Sequence, residues 1–169
     1  MKVIFSFLVS APSWKLFLLF ILPMAISTAL TWLTESLIIA QFGMLLNSYI
    51  VLLWEYSVCS MIYEKYYRYL DVPILWFKIS IGYIFIYIIF FSLFSEIIPI
   101  HYFDTLHIVS VACHIYCIYF LSKLLVTVEK KGKVKFSEYF GPLISAWILI
   151  IGIWNLQPRI KKILISQDV

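Results

Sequence analysis

Four long runs of mostly apolar residues, separated by short polar segments, form the dominant pattern along this chain. The runs cover residues 15–34, 42–63, 79–98 and 106–128. An α-helix rises about 1.5 Å per residue, so each run is long enough to cross the hydrocarbon core of a bilayer, which is about 30 Å thick. The pattern therefore predicts an all-α fold, a polytopic membrane helical bundle with four transmembrane helices, in a single domain over residues 1–169.

A fifth apolar segment, residues 141–157, is shorter and ends in the polar residues Asn155 and Gln157, followed by Pro158. Its length fits either a C-terminal re-entrant or interfacial helix, or a fifth full span. Gly141 and Pro142 predict its start, because proline is favoured at the first helical position, where its missing N–H is not needed.

The distribution of lysine and arginine favours the re-entrant or interfacial alternative. If the N-terminus is cytoplasmic and the chain crosses four times, the outer loops at residues 35–41 and 98–105 contain neither residue type. A full fifth crossing would move Arg159, Lys161 and Lys162 outside, whereas a returning segment keeps all 13 basic residues on one side. Basic residues concentrate in cytoplasmic loops, so we expect both the N-terminus and the C-terminus to be cytoplasmic.

The composition excludes an ordinary soluble domain. Hydrophobic residues make up 63% of the 169 positions and charged residues 13%, against about 45–50% and about 25% in soluble proteins. The net charge of +4 includes no basic run interleaved with aromatic residues on a soluble face. We therefore do not expect nucleic acid as a partner.

Two ionisable side chains, Glu55 and His114, lie well inside the predicted second and fourth spans. Such groups are costly within a membrane and indicate function by default. Each belongs to a polar stripe at helical spacing, and their depths differ by about 6 Å. The other stripe residues are Ser48 and Cys59 on the second span, and His107, Ser110 and Cys117 on the fourth. We predict an intramembrane polar pair, direct or water-bridged; the alternative is that Glu55 only stabilises the bundle.

The sequence contains no recognisable catalytic or metal-binding motif. Patterns such as HExxH, GxSxG, a Walker loop or a dinucleotide fingerprint do not occur. Three cysteines, all within apolar segments, argue against a disulfide framework. Cys113, His114 and Cys117 are too few to ligate a soft cation, which needs about four ligands. We therefore expect no catalytic residue, no metal and no cofactor, and we do not expect an enzyme.

The second half of the chain carries a distinctive ending, GIWNLQPRI at residues 152–160, after the segment LHIVSVACHIYCIYFLSKLLVTVEKKGKVKFSEYFG. It resembles a family of small, uncharacterised bacterial multi-spanning membrane proteins that end in a GIWxxQPxI motif, and the N-terminal WKLFLLF is similar to the start of that family. Asn155 departs from the family pattern, and Glu55 and His114 lie outside it.

The resemblance implies a membrane fold and a bacterial inner (cytoplasmic) membrane location, but no activity. It also indicates a motif at the cytoplasmic surface that docks a partner or lipid headgroups. The motif residues are Gly152, Trp154, Gln157, Pro158 and Arg159. The alternative is a C-terminal anchor that closes the bundle.

We therefore expect a non-enzymatic integral membrane protein that acts by assembly in the bilayer. It would be an accessory subunit or a membrane-perturbing effector, and its candidate partners are membrane lipids, a cytoplasmic protein and further copies of itself. Two alternatives stay open. One is a small ion- or proton-conducting pore or carrier that uses Glu55 and His114. The other is a lipid-modifying intramembrane enzyme that depends on His107 or His114.

Overall fold

A computed structural model describes residues 7–67, 70, 73–94, 97 and 99–165. These residues contain no strand, which confirms the all-α prediction. Their six long helices are α1 (Ser13–Thr34), α2 (Leu37–Tyr66), α3 (Ile74–Phe94), α4 (Asp104–Lys130), α5 (Phe136–Trp147) and α6 (Leu149–Ile165). A short 3-10 helix, Ile100–Tyr102, precedes α4.

Helices α1 to α4 are each long and apolar enough to cross a membrane, which confirms the four predicted spans. The predicted starts of the second and third spans are wrong, because α2 begins at Leu37 and α3 at Ile74. Lys78 lies inside α3 with its side chain exposed; a long charged side chain can extend away from apolar surroundings, so it does not end the helix. The predicted end of the third span, residue 98, lies outside the described residues.

The segment 141–157 is not one helix, because the chain breaks at Ile148, where φ is −97° and ψ is 59°. Helices α5 and α6 meet at this break and form a hairpin, which we call the C-terminal hairpin. The predicted start at Gly141 and Pro142 is wrong, since α5 already begins at Phe136 and contains Pro142. Glu138 explains the earlier start: its carboxylate accepts a hydrogen bond from the backbone N–H of Lys135 at 2.7 Å, as in a capping box.

The C-terminal hairpin returns to the end of the bundle from which it starts. The last turns of α6 contact the last turn of α2, where the hydroxyl of Tyr66 donates to the carbonyl oxygen of Ile163 at 2.9 Å. Arg159 of α6 also pairs with Glu129, at the end of α4. We call this end of the bundle the basic end and the opposite end the far end. The hairpin is therefore re-entrant, and a fifth full span is excluded.

The main packed core occupies the half of the bundle next to the basic end. Helix α5 is 12 residues long, so the hairpin reaches about 18 Å, roughly half the depth of the spans. The largest fully buried side chains all lie within that depth: Leu16, Trp54, Glu55, Ile62, Phe77, Phe120, Leu121, Leu125, Ile153, Leu156, Gln157 and Ile160. At the far end, Trp32 is 84% exposed and Leu33 is 81% exposed.

Two glycines allow close contact between neighbouring helices. A Cβ atom added at Gly152 of α6 would overlap the backbone of Ser145 in α5. A Cβ added at Gly43 of α2 would overlap the side chain of Ser27 in α1. Small residues at such crossings let helices approach closely within a membrane, where packing rather than water exclusion drives association.

Candidate functional site

The side-chain amide of Gln157 joins three parts of the molecule at the basic-end half. Its Nε2 donates to the carbonyl oxygens of Val9 at 2.7 Å and Ala11 at 3.0 Å. Its Oε1 accepts a hydrogen bond from the indole N–H of Trp54 at 3.3 Å. Gln157 and Trp54 are both completely buried, and a buried amide is tolerated when its polar atoms have partners. This arrangement, the Gln157 junction, fastens the residues before α1 to α2 and α6.

The remaining residues of the C-terminal motif take different places along α6. Gly152 is buried against α5, whereas Trp154 is 52% exposed and its ring lies 5.9 Å from that of Phe17. Pro158 is exposed within the helix. The structure thus places Gly152 and Gln157 inside the molecule rather than on its surface, since one fits a close helix contact and the other has buried hydrogen-bond partners.

Arg159 is the charged member of the motif and lies near the basic end. Its Nε donates to Oε1 of Glu129 at 2.7 Å, and its terminal NH2 group pairs with Oε2 of the same carboxylate. A bidentate pair of this kind fixes the relative position of two groups better than a single bond does. It connects the end of α6 to the end of α4.

A second ion pair connects the end of α4 to the first turn of α5. Nζ of Lys130 lies 2.6 Å from Oε1 of Glu138. This hydrogen bond, together with the bond from the backbone N–H of Lys135, holds the pKa of Glu138 below its ordinary value. The carboxylate therefore stays ionised under mildly acidic conditions and keeps the first turn of α5 attached to α4.

Glu55 is almost completely buried on α2, with an exposed fraction of 1%. Its Oε2 has no hydrogen-bond partner among the described residues. The described groups near it include the thiols of Cys59, one turn along α2, and Cys117 on α4. Helices α2 and α4 end together at the basic end, and Glu55 and Cys117 lie at similar distances from it. The structure therefore brings together Glu55, Cys59 and Cys117.

His114 lies half-buried on α4. Within the described part of the chain no hydrogen bond or ion pair joins it to Glu55. The predicted pair, in its water-bridged form above all, stays a prediction. The described residues also contain no group of three His, Cys, Asp or Glu side chains placed to hold a metal ion.

The other stripe residues contact different neighbours. Ser48 donates to the carbonyl oxygen of Met44 at 2.9 Å, within its own helix, and Ser110 is buried. Near the far end, Nδ1 of His107 lies 3.0 Å from the hydroxyl of Tyr87 on α3. The polar stripe of α4 is thus divided, with His107 facing α3 and Cys117 near Glu55 of α2.

A groove of about 1160 Å³ opens between α1, α2 and the tip of the C-terminal hairpin. We call it the far-end groove. Its lining from the two long helices is Phe20, Ile21, Met24, Ala25, Thr28, Ala29, Trp32 and Leu33 of α1 with Asn47 and Val51 of α2. Residues 147–150, at the tip of the hairpin, form its floor. The amide oxygen of Asn47 is buried there and has no hydrogen-bond partner among the described residues.

Two features of the site have no counterpart among the sequence predictions. Trp54 and the carbonyl groups of Val9 and Ala11 give no pattern that links them to Gln157, since they are about 100 or more residues away in sequence. Asn47 does carry a signal, because an amide in the middle of an apolar span is unusual. Its place in a groove follows only from the depth of the hairpin.

Compared with known protein families, characterised proteins and solved structures, the chain matches none. It is a membrane protein by its four spanning helices. The resemblance to the bacterial GIWxxQPxI family stays a prediction.

Proposed function

We propose that this protein is a non-enzymatic accessory subunit that assembles in the bacterial inner membrane and docks a cytoplasmic partner on its basic end. The observation that carries the proposal is the sorting of charge along the bundle. Every lysine and arginine among the described residues lies toward the basic end, and Glu35 and Asp104 are the only charged groups that the structure describes at the far end. By the tendency of basic residues to face the cytoplasm, both termini are cytoplasmic.

Two ion pairs connect helix ends at the basic end. The ion pairs of Arg159 with Glu129 and of Lys130 with Glu138 hold its helix ends together. Exposed lysines remain around these pairs, and we define the basic face by three of them: Lys131, Lys135 and Lys162. A fixed positive surface of this kind favours a partner with an acidic surface, because complementary charge speeds and orients association.

Charge reversal of the basic face tests this proposal. The protein is extracted from its native membrane in a mild detergent, and the mass of the purified complex is measured together with the stoichiometry of any co-purifying protein. We expect a stoichiometric partner with the wild type and with a Lys131→Arg, Lys135→Arg, Lys162→Arg control. Reversal of the same three residues to Glu should release it. A wild-type protein that is always solitary, or a complex indifferent to charge reversal, contradicts the proposal.

A conducting pore or carrier is the second candidate, and it has one observation in its favour. The carboxyl oxygen Oε2 of Glu55 is buried deep in the spans with no hydrogen-bond partner among the described residues, as in groups that bind and release protons or ions within membranes. Conduction by the purified protein is measured as ion flux into liposomes. Glu55→Gln should abolish flux and preserve the fold, and wild-type liposomes without flux exclude this candidate.

A further inference from the structure

The far-end groove is one leaflet deep. Its lining on α1 runs from Phe20 to Leu33. The hairpin reaches about 18 Å from the basic end, a depth that α1 attains near Met24. The part of the lining above the floor, from Met24 to Leu33, is therefore nine residues long, or about 14 Å at 1.5 Å per residue. One leaflet contributes about half of the roughly 30 Å of hydrocarbon. The hairpin thus occupies the leaflet at the basic end, and the groove lies above it in the leaflet at the far end.

The floor of the groove restricts what can fill it. A partner's transmembrane helix would have to continue through both leaflets, and residues 147–150 of the hairpin tip block its path. A molecule that ends at the middle of the bilayer has no such obstacle. The acyl chains of a lipid end there, and the lining is almost entirely apolar. The volume of about 1160 Å³ exceeds the roughly 300–1,000 Å³ of ordinary small-molecule pockets, which suits a lipid.

Charge at the groove's rim selects among lipid headgroups. Glu35 follows the α1 wall directly and is exposed, and the far end has no lysine or arginine among the described residues. An anionic headgroup would be repelled there, whereas an ammonium group would be attracted over the same short distance. We propose that the far-end groove is a binding site for a phospholipid of the far-end leaflet that carries an ammonium headgroup, with its acyl chains along α1 between Met24 and Leu33.

Filling the groove tests the site. Ala29→Phe places a ring in the groove, and Ala112→Phe makes the same change on an exposed position of α4 outside it. Each protein is purified in detergent with dioleoyl phosphatidylethanolamine, washed free of loosely bound lipid, and analysed by native mass spectrometry. We expect wild type and Ala112→Phe to retain one lipid, and Ala29→Phe to retain it about tenfold less, a loss of one decade in affinity. Equal retention by Ala29→Phe, or a groove occupied by a second copy of the chain, overturns the proposal.

The headgroup is tested by the same measurement with a second lipid. Dioleoyl phosphatidylglycerol should be retained less than phosphatidylethanolamine, and Glu35→Gln should reduce the difference. Equal retention of the two lipids by the wild type rejects the headgroup assignment.

Reversal of the basic face at Lys131, Lys135 and Lys162 should leave lipid retention unchanged, so the lipid-binding result and the partner-docking result are independent.

Discussion

The basic-end half and the far-end half of this bundle are built from the same four spanning helices, yet they pack differently. Near the basic end, the C-terminal hairpin packs against α1, α2 and α4, and side chains such as Trp54, Phe120 and Leu156 are completely buried. Near the far end the hairpin is missing, and Trp32 and Leu33 stay exposed beside an open groove. A hairpin that inserts only halfway therefore creates a tightly packed half and a half completed by the bilayer.

Removing the close contact inside the hairpin should have the largest effect on this difference. Gly152→Leu would drive a side chain into the backbone of Ser145, and overpacking that the backbone cannot relieve costs about 3 kcal/mol or more. We expect α5 and α6 to separate, measured as a loss of unfolding free energy in detergent titrations. Gly141→Leu is the control, because a Cβ at Gly141 meets no atom within 4 Å. Equal stability of the two variants would show that the contact is not needed.

Breaking the Gln157 junction should cause the second-largest loss of unfolding free energy. Gln157→Leu leaves the indole N–H of Trp54 and the carbonyl groups of Val9 and Ala11 without partners, at an expected loss of about 3 kcal/mol, since each orphaned buried group costs about 1–3 kcal/mol. Proteolysis of the residues before α1 should accelerate at the same time. Asn155→Leu loses only a 3.1 Å hydrogen bond to Ser145 on an exposed face. It should change neither the unfolding free energy nor the rate of proteolysis. An unchanged rate of proteolysis in Gln157→Leu would show that the junction does not hold the residues before α1 in place.

A matched pair of truncations compares the two halves directly. Leu156→Ala opens a cavity in the basic-end half, where the side chain is fully buried. Because lipid tails are as apolar as leucine, transfer of apolar surface between protein and lipid contributes little. The loss of packing contacts should therefore lower the unfolding free energy by about 2 kcal/mol. Leu33→Ala in the far-end half, where the side chain is 81% exposed, should cost less than about 0.5 kcal/mol. Similar losses of unfolding free energy would remove the distinction between the halves.

The ion pair of Arg159 and Glu129 should have the smallest effect. Both side chains are more than a quarter exposed, and partly exposed pairs contribute at most about 1 kcal/mol. A double-mutant cycle with Arg159→Gln and Glu129→Gln isolates the coupling, which should weaken as salt is added. A coupling above about 3 kcal/mol, as for buried pairs, would indicate that lipid or a partner covers this surface.

The helices and the return of the chain could be predicted from the sequence, because both depend on local or additive properties. Apolar runs of sufficient length give α1 to α4, and the sorting of lysine and arginine indicates that the tail beginning near Arg159 returns to the same side. The break at Ile148 could not be predicted, since neither glycine nor proline marks it. The depth of the hairpin, and with it the far-end groove, depends on that break.

The polar groups were predicted less completely, for a geometric reason. The depth difference of about 6 Å between Glu55 and His114 depends on where the two spans start, and α2 starts five residues earlier than expected. Counting from the basic end brings Cys117 rather than His114 to the level of Glu55. Errors of a few residues in helix boundaries shift depth by one turn or more, so the sequence alone does not determine which side chain of α4 lies level with Glu55.

The Gln157 junction also governs the order in which this protein can be completed during biosynthesis. Val9 and Ala11 receive their hydrogen bonds from a side chain 148 and 146 residues later. After α1 and α2 have entered the bilayer, the segment before α1 and the indole of Trp54 therefore lack these hydrogen bonds. They gain them only when α6 has been synthesised. The junction can therefore form only after residue 157 has been synthesised, and nascent chains arrested before this residue should be recognised as unfinished by membrane quality control.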